Sequence, residues 1–80
     1  MLVIYAIRCE HNKWFIGKHH KLLATTEILN HFVNANIEWL QKHKPMLIDQ
    51  FWNNCDCQDE NKYTKIYMSK YGIDDVRCGS

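Results

Sequence analysis

The sequence predicts an α+β domain: a small three-stranded antiparallel sheet flanked by helices, in the order β-β-α-α-β-α. Three observations carry this reading. Two β-prone apolar runs, Leu2–Cys9 and residues 14–17, stand on either side of the short polar segment of residues 10–13. After Thr25 the apolar spacing changes to steps of one, three and four residues, which is the period of a helix with one buried stripe. A third β-prone run, residues 46–52, precedes a second helical stretch that closes on a glycine.

Taken in order, the first two runs form an antiparallel pair. Alternate side chains share a face, so Val3, Tyr5 and Ile7 point one way and Ile4, Ala6 and Arg8 the other. Pairing is expected to set Tyr5 near Phe15 as an aromatic cross-strand pair. Gly17 ends the second run and is followed by Lys18-His19-His20-Lys21, a basic, imidazole-rich connector. It is the best candidate for a phosphate-contacting edge, although such runs also serve as plain solvated loops. Ile28, Leu29, Phe32 and Val33 make the stripe of the first helix, with Thr25 or Thr26 as its cap and Glu27 near the positive end of its dipole. Asn34-Ala35-Asn36 interrupts it. Ile37, Trp39 and Leu40 begin a second short helix, which stops before Pro45 because the residue preceding proline is pushed out of helical geometry. The third helix runs from Asp59 through Tyr71 with Asp56 or Asp59 as cap. Gly72 is expected in the left-handed position with Ile73 packed back on the last turn, and the tail from Asp74 to Ser80 is expected to be loosely held.

Composition narrows the class. Eighty residues make one small domain, with 46% hydrophobic residues favouring a globular chain. No run spans a bilayer and no secretion signal opens the chain, so a soluble, intracellular protein is expected. A net charge of +1 excludes a global field toward nucleic acid, and any such binding must come from a local patch. Cys9, Cys55, Cys57 and Cys78 read as reduced thiols in that setting. Zinc is the alternative, although Cys55-x-Cys57 is tighter than the usual zinc knuckle.

Val3-Ile4-Tyr5 and Phe15-Ile16-Gly17 resemble, with one substitution each, the two strand signatures of the GIY-YIG nuclease superfamily. Two later stretches resemble a compact variant of that domain associated with large nucleocytoplasmic DNA viruses. They are Glu38-Trp39-Leu40-Gln41-Lys42-His43-Lys44-Pro45 and Asp59-Glu60-Asn61-Lys62-Tyr63-Thr64, the latter continuing through Tyr71-Gly72-Ile73-Asp74-Asp75-Val76-Arg77. The resemblance covers nearly the whole chain.

It implies cleavage of DNA phosphodiesters with one divalent metal. In the family, hydroxylated rings flank the scissile phosphate and a glycine lets the substrate approach. A tyrosine, lysine or histidine helps activate water, a first-helix arginine clamps the phosphate, and a later glutamate holds Mg²⁺. Carried over, Tyr5, Lys18 and His31 are the catalytic candidates. Thr64 falls at the aligned metal position, with Glu60, one turn earlier, as the metal candidate. Phe15, Glu27 and Thr64 depart from the pattern where chemistry is done, because none supplies the group required. The expected function is therefore a catalytically degenerate domain, needing no cofactor, kept as a nucleic-acid-binding or structural, virion-associated module. The alternative is an active Mg²⁺-dependent endonuclease with a rearranged site; a zinc-stabilised module is a third reading. The implied partners are DNA or a viral structural protein, in the host cytoplasm or nucleus or in a virion, with no membrane. Lys13, Lys18, His19, His20, Lys21, Lys42 and Lys44 are the candidate phosphate contacts; without DNA binding, exposed members of Trp14, Trp39, Trp52 and the tyrosines would anchor a protein interface.

Overall fold

The computed structural model describes residues 2–79. Its strands are β1 (Leu2–Cys9), β2 (Lys13–His19), β3 (Pro45–Cys55) and β4 (Val76–Cys78), and its helices are α1 (Thr25–Val33), α2 (Glu38–Lys42) and α3 (Asp59–Tyr71). The strands form one sheet of order β3-β1-β2-β4, in which β4 alone runs parallel to its neighbour. The α+β class stands, but the sheet is mixed and has four strands where the sequence predicts three antiparallel ones. The extra strand comes from the tail expected to be loose: Val76, Arg77 and Cys78 pair with Trp14, Phe15 and Ile16, and the Gly79 amide donates to the Ile16 carbonyl at 3.0 Å. Ser80 lies outside the described residues.

β1 is covered on both faces, which is why it reads as an almost unbroken apolar run. Val3, Tyr5, Ile7 and Cys9 pack with Phe15, Ile28, Phe32 and Leu40 on the side of α1 and α2. Ile4 and Ala6 pack with Trp14, Ile16, Tyr67 and Val76 on the side of α3. Aromatic rings fasten α3 to the sheet: Trp14 stacks on Tyr71 at 4.2 Å and Trp52 on Tyr63 at 3.8 Å between centroids. The Tyr67 hydroxyl adds a 2.6 Å bond to Asp49.

Several local expectations are corrected. The register sets Tyr5 opposite Gly17 and Phe15 opposite Ile7, so the expected Tyr5–Phe15 pair is not directly opposed. The ring of Tyr5 lies against Phe51 at 6.1 Å and that of Phe15 against Phe32 at 5.7 Å. Ala24, without a side-chain bond, holds the cap position of α1, one residue ahead of Thr25 and two ahead of Thr26. Gln58 holds that of α3, yet Asp56 Oδ1 accepts the amides of Gln58 and Asp59, so the predicted acid does the capping from two residues outside the cap. Gly72 has the expected positive φ, 105°, while Ile73 is 71% exposed and does not pack back.

Candidate nucleic-acid interface

The two signature tripeptides meet at Tyr5 and Gly17, and both are covered. Gly17 is buried, and a Cβ there would stand 2.5 Å from Phe32 Cζ and 2.8 Å from Cε1. α1 therefore rests directly on the glycine, whose missing side chain makes room for a protein ring. Tyr5 is 2% exposed. Its hydroxyl donates to the Lys21 carbonyl at 3.3 Å and accepts from the Leu23 amide at 3.2 Å. The groups that the resemblance would set beside a phosphate are thus used internally.

That hydroxyl also shapes the connector. By holding the backbone at Lys21 and Leu23, it turns the chain at the end of β2 and brings His19 and His20 up to α1. The His19 ring stacks on His20 at 4.6 Å and meets His31 edge-on at 4.8 Å. His19 Nδ1 lies 3.0 Å from the Lys21 amide nitrogen and 3.2 Å from its carbonyl oxygen. The tautomer decides whether Nδ1 accepts from the first or donates to the second. Lys18, His20, Lys21 and His31 are exposed. Glu27, one turn before His31, is also exposed and places a carboxylate on the same helix.

The remaining phosphate candidates lie elsewhere. Lys13, at the far end of β2, is tied to Asp75 at 2.6 Å. Lys42 pairs with Glu38 at 3.1 Å, and the Lys44 amide donates to Glu10 Oε1 at 2.9 Å. β2 separates these from the corner by about 20 Å of strand.

The catalytic candidates are not gathered into one site. Tyr5 and His31 belong to the α1 side, whereas Lys18 and Glu60 meet on the α3 side, with Lys18 Nζ 3.6 Å from Glu60 Oε1. Glu60 is 3% exposed, and its Oε2 has no hydrogen-bond partner among the described residues. Thr64 is also buried, but its hydroxyl returns to the Glu60 carbonyl at 2.6 Å, so Glu60 rather than Thr64 supplies the buried carboxylate. Glu60 would offer Mg²⁺ a single carboxylate, already shared with Lys18, and an ion that keeps most of its waters would need the buried Oε2 opened to solvent. No three His, Cys, Asp or Glu side chains converge in a metal-holding group among the described residues. Cys9 packs on the α1 side, its thiol pushed up to about 12 by burial and then by Glu10, while Cys55 and Cys78 pack on the α3 side. Phe32 over Gly17 was the contact that sequence reasoning missed; its helical spacing marks it as core without showing what it covers.

Fold and site together define a small α+β domain with a buried signature glycine and an exposed Lys/His corner. No family model, curated protein or solved structure matches the chain.

Proposed function

We propose that this is a catalytically degenerate GIY-YIG-like domain that binds DNA through the corner of Lys18, His19, His20, Lys21 and His31. The observation that carries the reading is Phe32 seated on Gly17, with the Tyr5 hydroxyl bonded to the adjoining connector. A phosphate has no path to either group without displacing α1. Loss of one electrostatic donor costs about a hundredfold to a thousandfold in rate. Here Phe15 and Glu27 remove two, and Tyr5 is enclosed. The corner instead offers the Lys21 ammonium and three imidazoles, flanked by the Lys18 ammonium, which lies 3.6 Å from Glu60 on the α3 side, and such groups recognise a phosphate backbone without reading bases.

The test is binding to a labelled DNA duplex at several salt concentrations. Two lysine contacts predict a log–log slope of about −2 at neutral pH, falling toward zero in Lys18→Gln/Lys21→Gln and unchanged in Lys13→Gln. Binding that ignores salt and the double substitution contradicts the corner. Folded protein that fails to bind DNA would move the reading to a protein partner, for a virion component a viral structural protein. The anchors would then be Met46, Leu47 and Phe51, which are exposed on β3, since none of the three tryptophans is fully exposed.

A second reading, an active Mg²⁺-dependent endonuclease, is favoured by the unpartnered Glu60 oxygen. In it Glu60 would hold the metal, which would supply charge neutralisation for the phosphodiester, and Lys18 would contact the phosphate. It predicts metal-dependent nicking that Glu60→Gln abolishes while the fold persists.

A further inference from the structure

A cleft of about 470 Å³ opens between α2 and β4, away from the corner. One wall is Arg77, whose guanidinium lies 4.9 Å over the Trp39 ring. That ring is fixed from behind: its indole N–H donates to the Trp14 carbonyl at 3.2 Å, and His43 packs edge-on at 4.8 Å. Stacking occupies the face of the guanidinium and leaves its planar N–H edge for a ligand. No carboxylate pairs with Arg77 among the described residues, although Lys13, Lys18 and Lys42 each have one. The opposite wall carries Lys42, whose bond to Glu38 joins two side chains that are 66% and 81% exposed. So exposed a pair contributes little and yields readily to a stronger anion.

We infer that this cleft binds the phosphoryl group of a phosphomonoester, with Arg77 as the bidentate donor and Lys42 turning from Glu38 to the second face of the anion. Guanidinium and phosphate match in fork geometry, and the cavity admits more than a bare carboxylate. His43 faces the same space, its pKa lowered first by desolvation, and among the described lining residues Glu38 is the one carboxylate that opposes the anion. The phosphoryl group belongs either to a free mononucleotide or to the end of a nucleic-acid strand.

The experiment is a titration followed through the Trp39 indole N–H and Arg77 Nε–H resonances of the whole chain. The probes are inorganic phosphate, adenosine monophosphate, adenosine, and short oligonucleotides with and without a 5′-phosphate. The expected result is saturable shifts at both resonances with the phosphate-bearing probes. Arg77→Lys should weaken binding roughly tenfold, because an ammonium cannot present a fork. Glu38→Gln should tighten it by a few fold. Shifts with the phosphorylated oligonucleotide and not the mononucleotide would identify the strand end as the source. Equal shifts with adenosine, affinity indifferent to Arg77→Lys, or no shift with any of the phosphate-bearing probes in millimolar excess, the 5′-phosphorylated oligonucleotide included, would each overturn the inference.

Discussion

Phe32 Cζ would lie 2.5 Å from a methyl group at position 17, too close for Gly17→Ala to be accommodated in place. Overpacking of this kind costs about 1–3 kcal/mol, which should appear as a lower urea midpoint with unchanged slope. Gly17→Ala/Phe32→Leu should recover part of the loss; strictly additive losses would show that the two positions do not touch. Tyr5→Phe leaves the partly buried Leu23 amide without its acceptor, at about 1–3 kcal/mol, and should weaken DNA binding by freeing the corner. The thiol of Cys9, held at about 12 against an ordinary 9.0, stays protonated in the fold while the unfolded chain ionises. Its contribution to stability is complete below pH 9 and is lost as pH rises toward 12, a loss that Cys9→Ala should remove from the pH–stability curve. In the native protein, exposed Cys57 should be alkylated well before Cys9. At this scale the sequence was partly legible. It marked Tyr5, Gly17 and Glu60 as special, but whether a glycine admits a substrate or a neighbouring ring depends on the packing of α1.

Elements marked by a repeating pattern or a stop signal were legible, the short α2 before Pro45 among them, and β4, which has neither, was not. α3 repeats its spacing over three turns and spans the predicted residues, whereas β4 has three residues and is set by its parallel register with β2. Loop contacts were equally hidden. His11 and Asn12 both have positive φ, and this turn carries His11 Nδ1 to 3.0 Å from His43 Nδ1, beside the junction of α2 and β3. One ring must donate and the other accept, so the link requires at least one neutral imidazole. Desolvation, then the charge of His11, then Lys13 and Lys42, lower the His43 pKa from 6.5, with Glu10 opposing. The unfolded chain therefore takes up a proton at His43 that the fold resists, and this contribution to stability, present above pH 6.5, is lost on acidification. In an NMR titration His43 should titrate below 6.5 in the native protein, and His11→Ala should move it upward. A midpoint indifferent to His11 would contradict the pairing.

Across the whole molecule, a three-layer arrangement places charge at two separated ends of β2 on a chain of net charge +1. The seven phosphate candidates looked equivalent in sequence because spacing shows neither the length of a strand between them nor the carboxylates that pair with Lys13, Lys18 and Lys42. Likewise Tyr5, Lys18, His31 and Glu60 lie in compatible order along the chain, yet the sheet stands between the two pairs. What the proposal joins is an exposed Lys/His corner and a Gly17 closed by Phe32. The most direct measurement combines mobility shift and cleavage on supercoiled, linear and branched DNA, with Mg²⁺ or Mn²⁺ and protein shown to be folded by circular dichroism. The account predicts retarded but uncut DNA, with retardation lost at high salt and in Lys18→Gln/Lys21→Gln. Metal-dependent nicking by the wild-type chain that disappears in Glu60→Gln would contradict it and establish the endonuclease reading.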